Sequence, residues 1–337
     1  MIMSPEGKRI LSGMQPTGRL HLGNLVGALE NWVDLQNSGY ENFHMVADWH
    51  SLTIDYHSSG QLKDATLQVV TDWLAAGIDP EKSVIFIQSQ IKEHAELNLL
   101  LSMLITVPRL ERNPTLKERV RDADIDENLS FGHLGYPVLQ AADILIYRAN
   151  LVPVGEDQLP HIEITREIAR KFNSTYGEVF PVPEGKLTKF ARLPGLDNKK
   201  MSKTMGNSIL MSDDAETLTK KVKGMITDPE KIYKDSPGHP DICPVFAYHN
   251  KFNESEVPEI RLNCESGALG CVECKQNLSN KLNDYLDPIR EKRAKLESKP
   301  DSIYEIIHEG NLKAKKEVAE TMSLVYEAMK FGKPSIS

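Results

Sequence analysis

The fold of this chain is decided by residues 9–24, which read RILSGMQPTGRLHLGN. The stretch begins as a short apolar run typical of a strand, turns at a Gly- and Pro-rich segment, and enters a helical pattern over 21–36. Apolar runs at 43–47 and 84–87 predict two more strands, and an apolar spacing of three and four predicts a helix over 61–76 that stops at Gly77. Strands that alternate with helices predict an α/β fold with a parallel sheet, whose ligands bind in the loops beyond the carboxyl ends of the strands.

Length and charge limit the classes of protein that fit. With 337 residues the chain is long enough for about two domains. Its net charge of −8 argues against a protein that coats nucleic acid by bulk charge, and we expect no DNA partner. The sequence has no run of 18 apolar residues and its start lacks an apolar signal core, so we expect a cytoplasmic protein with no membrane partner.

The second half of the chain differs from the first. Strand patterns become rare after Lys199, and Ala319, Met322, Val325 and Ala328 lie three apart, which predicts a helix with one buried face. We therefore expect a parallel-sheet nucleotide-binding domain over 1–204 and an all-helical domain over 205–337, whose last helix can pack back on the first domain. The stretch between residues 235 and 277 lacks clear periodicity and is expected to be irregular.

Residues 15–24, QPTGRLHLGN, predict a phosphate-binding turn. Gly18 and Gly23 remove side chains where a flat or charged ligand approaches the backbone, and a helix beginning near Gly23 offers free N–H groups and a positive dipole end to phosphate. His21 can donate a hydrogen bond to a phosphate oxygen. An ordinary Pro–Gly turn followed by a helix start explains the same residues.

Residues 199–207, KKMSKTMGN, predict a mobile cationic loop. Lys200 and Lys203 lie three apart beside small polar residues, and such an arm can stabilise the charge that develops on a leaving pyrophosphate. A solvated lysine cluster is the alternative.

The two motifs together resemble the paired signatures of class I aminoacyl-tRNA synthetases. HLGN follows the first strand, and KMSKT comes about 180 residues later. Three further strings, VADWHSLT at 46–53, GYPVLQAADIL at 135–145 and LVPVGEDQ at 151–158, are similar to those of tryptophanyl-tRNA synthetases. The resemblance covers nearly all of residues 9–205, and it implies a Rossmann-like domain followed by a helical domain that binds the tRNA anticodon.

The resemblance also implies a reaction and the residues that carry it. The enzyme would activate L-tryptophan with ATP and Mg²⁺ to tryptophanyl-adenylate and then transfer the amino acid to tRNA(Trp). The implied catalytic residues are His21, Lys117, Lys200 and Lys203. The implied ATP-binding residues are Gln15, Pro16, Thr17, Gly23, Asn24, Gly155, Glu156, Asp157, Leu193, Lys200, Met201, Ser202, Lys203 and Thr204. Residues 155–157 can meet ribose hydroxyls, and an N-capping turn is their alternative.

The implied tryptophan-binding residues are Gln15, Asp48, His50, Tyr136, Asp143 and Gln158. Asp143 matches the indole-binding aspartate of the family. A carboxylate that accepts the indole N–H would reject isosteric rings that cannot donate, because it would be left buried and unpaired. An aspartate satisfied by local backbone amides is the alternative. Gln140 and Leu11 stand where relatives often carry Met and some carry Phe, so the lining of the slot is left open.

All four cysteines lie in one segment, 243–274, with the spacing C-x20-C-x6-C-x2-C. Cys243, Cys264, Cys271 and Cys274 can supply four thiolates to one centre, either tetrahedral zinc or a [4Fe–4S] cluster, or they can stay unligated. Some bacterial tryptophanyl-tRNA synthetases carry a [4Fe–4S] cluster in a similar segment, which favours the cluster, with Zn²⁺ as the alternative.

The partners follow mainly from the resemblance. The helical domain is expected to recognise tRNA, with candidate phosphate contacts at Lys292, Arg293, Lys295, Lys313, Lys315 and Lys316. The family pairs two subunits through the nucleotide-binding halves, so we expect a homodimer. Two rival hypotheses are a nucleotidyl transferase that shares only the first motif, and a synthetase-derived RNA-binding or iron-sensing protein without aminoacylation activity.

Overall fold

The computed structural model describes residues 7–114, 130–187 and 193–331. Five parallel strands form one sheet in the order β3-β2-β1-β4-β5. The strands are β1 (Arg9–Met14), β2 (Glu41–Val46), β3 (Ser83–Ile87), β4 (Leu151–Val154) and β5 (Glu184–Leu187). The predicted α/β fold and the first three predicted strands are thereby confirmed.

Helices cover both faces of the sheet and make up most of the C-terminal part among the described residues. In the N-terminal part they are α1 (Leu22–Asn24), α2 (Glu30–Gln36), α3 (Asp48–Ile54), α4 (Leu62–Ala76), α5 (Glu93–Ser102), α6 (Val107–Glu111), α7 (Phe131–Leu134), α8 (Tyr136–Ile146) and α9 (Leu159–Tyr176). In the C-terminal part they are α10 (Ala215–Gly224), α11 (Pro244–Phe252), α12 (Val257–Glu265), α13 (Cys271–Glu297) and α14 (Pro300–Met329). Within the described ranges no helix carries an apolar stretch long enough to cross a bilayer.

The predicted helices follow the apolar pattern closely. α4 buries Val69, Val70 and Trp73, and Gly77 ends it in the left-handed conformation at φ +116°. The predicted helix over 21–36 is present but not uniform, because a π-helical turn at Leu25–Leu29 separates α1 from α2.

The stretch between residues 235 and 277 is more regular than expected. It contains two helices of nine residues, α11 and α12, and the start of α13. Pro244 and Pro258 lie in the first turns of α11 and α12, where a missing N–H costs nothing. The prediction of an irregular segment is therefore wrong, since helices this short show too few apolar repeats to be recognised.

The C-terminal helices pack directly on the sheet domain. α14 lies against β3, the edge strand, so closely that a Cβ on Gly310 would overlap the carbonyl oxygen of Ile85. Asn311 Oδ1 accepts a hydrogen bond from the backbone N–H of Ile87 at 3.0 Å. One buried apolar core also continues from Trp73 on α4 to Leu282 on α13. The division of the chain near residue 204 stays a prediction.

Candidate active site

A cavity of about 560 Å³ opens at the carboxyl ends of β1, β2 and β4. Strand register brings these ends together, since Met14 of β1 pairs with Val46 of β2 and β4 lies on the other side of β1. Nine predicted site residues line the cavity: Gln15, Thr17, Asn24, His50, Tyr136, Asp143, Gly155, Gln158 and Lys200. Residues that the sequence separates by up to 185 positions therefore share one cleft, at the edge of the sheet where ligands of such folds bind.

Asp143 lies at the floor of this cavity on α8 and is 1% exposed. His50 Nε2 lies 2.7 Å from one carboxylate oxygen, and His94 Nδ1 lies 2.6 Å from the other. Gln88 Nε2 donates to both oxygens, at 2.8 and 2.9 Å. Burial works to raise the pKa of Asp143, but the hydrogen bonds from the two histidines outweigh it and hold that pKa below its ordinary value. The cavity therefore contains a buried carboxylate that stays charged.

A second group of polar side chains fixes the orientation of this carboxylate. His94 Nε2 lies 2.9 Å from the hydroxyl of Tyr147, whose pKa burial raises well above its ordinary value. The tyrosine thus remains an O–H donor, and the Nδ1 side of the His94 ring faces Asp143. No sequence pattern predicted Gln88, His94 or Tyr147 as site residues. The sequence feature that could have indicated Gln88 and His94 is their position after the carboxyl end of β3, where ligands of parallel sheets bind. Tyr147 has no such feature.

His21 caps the short helix that begins the phosphate-binding turn. Its Nδ1 accepts from the backbone N–H of Asn24 at 3.2 Å, and Asn24 Oδ1 accepts from the backbone N–H of His21 at 3.1 Å. Burial, together with the charge of Lys203, lowers the pKa of His21 to about 4. The ring is therefore neutral at pH 7 and carries its proton on Nε2, which leaves one N–H donor for a ligand.

The two predicted motifs meet at Lys203. Its Nζ donates to the backbone oxygen of Thr17, to Thr17 Oγ1 at 3.0 Å, and to the backbone oxygen of Arg19 at 2.9 Å. Burial lowers the pKa of Lys203, and the nearby carboxylate of Asp72 opposes this effect. Lys200 is exposed and lines the cavity. The second motif therefore closes over the turn of the first, with one lysine anchored and the other facing the cleft.

Asn207 shapes the loop that carries these lysines. Its Oδ1 accepts from the backbone N–H of Ser202 at 2.8 Å, and its Nδ2 donates to Asp197 Oδ1 and to the backbone oxygen of Lys200. Ser202 is half-buried beside these contacts, while Met201 and Leu193 are buried in the apolar core. Met201 and Leu193 therefore support the loop from below and do not line the main cavity.

The remaining predicted residues lie at the margins. Pro16 and Thr204 line an adjoining cleft that shares Gln15 and Thr17 with the main cavity. Gly23 lies beneath the ring of His21, where a Cβ would come within 3.0 Å of the imidazole. These positions surround the same turn, so a long ligand can extend from the main cavity into the adjoining cleft.

The acidic positions differ in what they contact. Glu156 and Asp157 form the exposed turn after β4, and Asp157 accepts from Gln158 Nε2 at 2.9 Å. Asp48 does not line the main cavity, and its Oδ1 accepts from the backbone N–H groups of Trp49 and Ser89, each at 3.0 Å. Lys117 lies outside the described residues.

The four cysteines line one small cavity among α11, α12 and α13, and all are free thiols. Burial, and then the neighbouring thiols, raises the pKa of Cys274 to about 12. Among the residues that the structure describes, no group of three or more His, Cys, Asp or Glu side chains is arranged to hold a metal ion. The segment thus brings its thiols to one place without forming a coordination shell.

One predicted tRNA contact is wrong. Arg293 is 3% exposed, and its guanidinium is bound to Asp72 and Gln68 on α4. The other five lysines of the two predicted clusters are exposed: Lys292, Lys295, Lys313, Lys315 and Lys316.

The parallel sheet and the two converging loops are those of the class I tRNA synthetases. The family described as tRNA synthetases class I (W and Y) matches residues 5–287, and the chain belongs to this family.

Two curated relatives and one solved structure resemble the chain over nearly its full length. The tryptophan–tRNA ligase of Thermotoga maritima is 50% identical over 323 residues, which cover 95% of this chain and 98% of that protein. The tryptophan–tRNA ligase of Aquifex aeolicus is 43% identical over 392 residues, covering 95% and 99% respectively. The structure of tryptophanyl-tRNA synthetase from Campylobacter jejuni complexed with ADP and tryptophan has a TM-score of 0.85 at 36% identity, and covers 96% of this chain and 100% of its own.

Proposed function

We infer that this chain acts as a tryptophan–tRNA ligase, which activates L-tryptophan with ATP and transfers it to tRNA(Trp). The observation that carries this inference is the buried, charged Asp143 in a cleft that also holds both synthetase motifs. The similarity to tryptophan–tRNA ligases at 50% and 43% identity supports the same function. A nucleotidyl transferase would not need the lysine loop, and a protein without catalysis would not need a charged acceptor buried in its cleft.

The reaction proceeds by displacement without a covalent enzyme intermediate. A carboxylate oxygen of tryptophan forms a bond to the ATP α-phosphorus, the bond to the β-phosphate bridging oxygen breaks, and pyrophosphate leaves with Mg²⁺. A terminal ribose hydroxyl of tRNA(Trp) then attacks the carbonyl of the adenylate and AMP leaves. The protein contributes alignment of the reactants and stabilisation of developing charge. Mg²⁺ enters bound to ATP and neutralises part of the pyrophosphate charge.

The cleft has a distinct part for the indole ring. Asp143 supplies the acceptor for the indole N–H, and its Oδ2 is the oxygen that now receives His50. The indole N–H would take the place of that histidine contact. Tyr136 packs at 4.3 Å on the ring of His50, and buried Val152 and Val154 give the slot an apolar wall.

The opposite part of the cleft binds the nucleotide. Neutral His21 offers Nε2–H to a phosphate oxygen, and exposed Lys200 offers a mobile cation to the pyrophosphate. Lys203 is partly buried and already held against Thr17, so it acts by closing the second motif on the first. Glu156 and Asp157 lie exposed in the turn after β4, where they can accept from ribose hydroxyls. Lys117, Gln15, Asp48 and Gln158 stay in the proposed site by resemblance.

We propose that the four cysteines hold a [4Fe–4S] cluster, with Zn²⁺ as the alternative. The proposal is supported by four free thiols that line one cavity, since cysteine thiolates bind either group, and it requires these thiols to move closer together than they lie here. A bound centre would cross-link α11, α12 and α13 and add to their stability. Anaerobically purified protein with absorbance near 400 nm and four irons per chain supports the cluster. A colourless protein with one zinc per chain supports the alternative.

We also propose a homodimer that binds tRNA through its helical part. Leu99 on α5, Met103 just after it and Val107 at the start of α6 are exposed by 58%, 68% and 50%, which is unusual for large apolar side chains so close in sequence. A dimer interface would cover them. Light scattering should give twice the chain mass, and Met103→Glu should shift it toward the monomer. Because tRNA charging serves translation, we place the protein in the cytoplasm.

ATP–pyrophosphate exchange with each of the twenty amino acids tests the proposed function. Exchange with tryptophan alone, followed by charging of tRNA(Trp), is the expected result. Exchange with a different amino acid would overturn the assignment of substrate, and no exchange with any amino acid would favour a non-catalytic RNA-binding protein.

A further inference from the structure

Asp72 and Arg293 form a buried ion pair between the two parts of the chain. Asp72 lies on α4 of the sheet domain with no exposed surface, and Arg293 lies on α13 and is 3% exposed. Arg293 Nη1 donates to Asp72 Oδ1, and its Nη2 donates to Gln68 Oε1 and to Glu297 Oε1. Burying a charged guanidinium or carboxylate costs free energy unless an opposite charge pairs with it. Arg293 and Asp72 therefore each need the other to stay charged in their buried positions.

The other carboxylate oxygen of Asp72 holds the phosphate-binding turn. Asp72 Oδ2 accepts from the backbone N–H of Leu20 at 2.6 Å, directly before His21. On its other side this segment is bonded to 209–211, through Leu20 O to Met211 N and Leu22 N to Ile209 O, each at 2.9 Å. The position of His21 thus depends on a carboxylate whose counter-charge comes from α13.

A second link runs beside the first. Arg19 Nε donates to Gln68 Oε1 at 3.3 Å, and its guanidinium lies 3.8 Å from Glu297. Gln68 and Glu297 are the residues that also bind Arg293, so Arg19 and Arg293 are held by the same two acceptors. The turn is therefore tied to α13 through both its backbone and a side chain.

We propose that Arg293 is a positioning residue for ATP, which acts through Asp72 on the turn that carries His21. The proposal rests on the proposed function and adds a residue that none of the motifs contains. Arg293 keeps Asp72 charged, and a charged carboxylate holds the Leu20 amide about twice as strongly as a neutral one. The tryptophan slot depends on other donors, at Asp143, and is not linked to this pair.

The charges around Asp72 set its pKa, so the effect of Arg293 on ATP binding should depend on pH. Burial raises the pKa of Asp72 to about 6, against the effects of Arg293, the Leu20 amide and Arg19. Lys203 also lies near enough to interact with it. On β2, which packs behind α4, His44 is neutral because burial lowers its pKa to about 3. Without Arg293 the pKa of Asp72 rises further, so the carboxylate becomes protonated near neutral pH and weakens its hold on the turn.

The experiment compares Arg293→Met with Arg290→Met in ATP–pyrophosphate exchange at pH 6 and pH 8.5. Arg290 lies on the same helix and bonds Asp287 and Asn283, away from the turn. For Arg293→Met we expect a KM for ATP about 10-fold above wild type at pH 6 and about 2-fold above it at pH 8.5, with the KM for tryptophan unchanged. Arg290→Met should follow wild type at both values.

The double variant Asp72→Asn/Arg293→Met tests the proposal if Arg293→Met alone does not fold, because it leaves no unpaired buried charge. The Asp72→Asn change keeps an acceptor for the Leu20 N–H but removes the group that titrates, so the KM of the double variant for ATP should lie above that of wild type by about the same factor at pH 6 and pH 8.5. In Arg293→Met, equal rises in the KM for ATP and for tryptophan, or a rise in the KM for ATP that does not change with pH, would overturn the proposal. The same pH-dependent rise in Arg290→Met or in the double variant would overturn it as well. Wild type without tryptophan-dependent exchange would instead refute the proposed function.

Discussion

Replacing Asp143 with Asn removes the charged acceptor from the proposed indole slot while keeping its size. In the folded protein three donors, on His50, His94 and Gln88, converge on two carboxylate oxygens. Asn offers one oxygen and one NH₂, so at least one donor then faces another donor. An unsatisfied buried group of this kind costs about 1–3 kcal/mol, and we expect the free energy of unfolding to fall by that amount.

The effect on substrate choice is larger than the effect on stability. A hydrogen bond from the indole N–H to a carboxylate contributes about 1.5–3 kcal/mol, so kcat/KM for tryptophan should fall by about 10- to 150-fold. An analogue in which sulfur replaces the indole N–H has no such bond to lose. The preference of the enzyme for tryptophan over this analogue should therefore fall by about 10-fold or more in the variant.

ATP–pyrophosphate exchange with both substrates measures this preference directly. Asp79→Asn is a suitable control, because Asp79 lies near the amino end of β3, opposite the cleft. The KM for ATP should stay within about 2-fold of wild type in both variants, since the hydrogen bonds of His21 and Lys203 do not involve Asp143. If Asp143→Asn lost activity equally with tryptophan and the sulfur analogue, Asp143 would not be the acceptor of the indole N–H.

Three further predictions concern the phosphate side and the core. Because Lys203 holds the second motif against Thr17, Lys203→Ala should slow adenylate formation by about 10²-fold in single-turnover assays while fluorescence titration shows unchanged tryptophan affinity, and equal losses in both would contradict this role. Because the pKa of His21 is about 4, wild type and His21→Gln should show parallel rate profiles between pH 5.5 and 8.5; a step near pH 6.5 in wild type alone would contradict a neutral ring. Burial lowers the pKa of His44 in the folded protein to about 3, from the ordinary value of 6.5 that it has in the unfolded chain. Below about pH 6.5 the unfolded chain therefore binds more protons than the folded protein, so the free energy of unfolding decreases as the pH is lowered. Between pH 7 and 5 wild type should lose about 2 kcal/mol of unfolding free energy more than His44→Phe in urea titrations, and an equal loss in both would exclude this linkage.

The sheet shows where sequence patterns succeed and where they fail. β1, β2 and β3 are apolar because helices cover both faces, and their apolar runs predicted them. β5 went unrecognised because it is a four-residue edge strand, EGKL, whose residues are exposed or half-buried. An edge strand gains most of its stability from hydrogen bonds to its neighbour, and these leave no pattern in its own side chains.

Site residues could be predicted where they lie in a short sequence motif that is typical of the family. Asp143, His50 and the two lysines came from quoted strings, and the structure brings Asp143, His50 and Lys200 to one cleft. Gln88 and His94 came from no pattern, because they lie 55 and 49 residues from Asp143 and become its partners only in the folded chain. Arg293 was wrongly predicted to contact tRNA, because its sequence neighbours suggested an exposed position. In the sequence it stands among lysines of a solvated helix, and only α4 of the folded chain shows the carboxylate that it neutralises.

The two buried carboxylates act on different parts of the proposed site, because Asp143 lines the cleft whereas Asp72 holds the turn before His21 from outside it. For Asp143 burial is outweighed by hydrogen bonds from His50 and His94, whereas for Asp72 it outweighs the effect of Arg293. The pKa of Asp143 therefore lies below its ordinary value, whereas the charge of Asp72 depends first on Arg293 of α13 and then on the Leu20 amide and Arg19. Since one oxygen of Asp72 binds Arg293 and the other holds the turn before His21, a disturbance of α13 should change ATP binding and leave tryptophan selection intact. Any event that moves α13, tRNA binding included, can by this route reach the nucleotide half of the cleft alone.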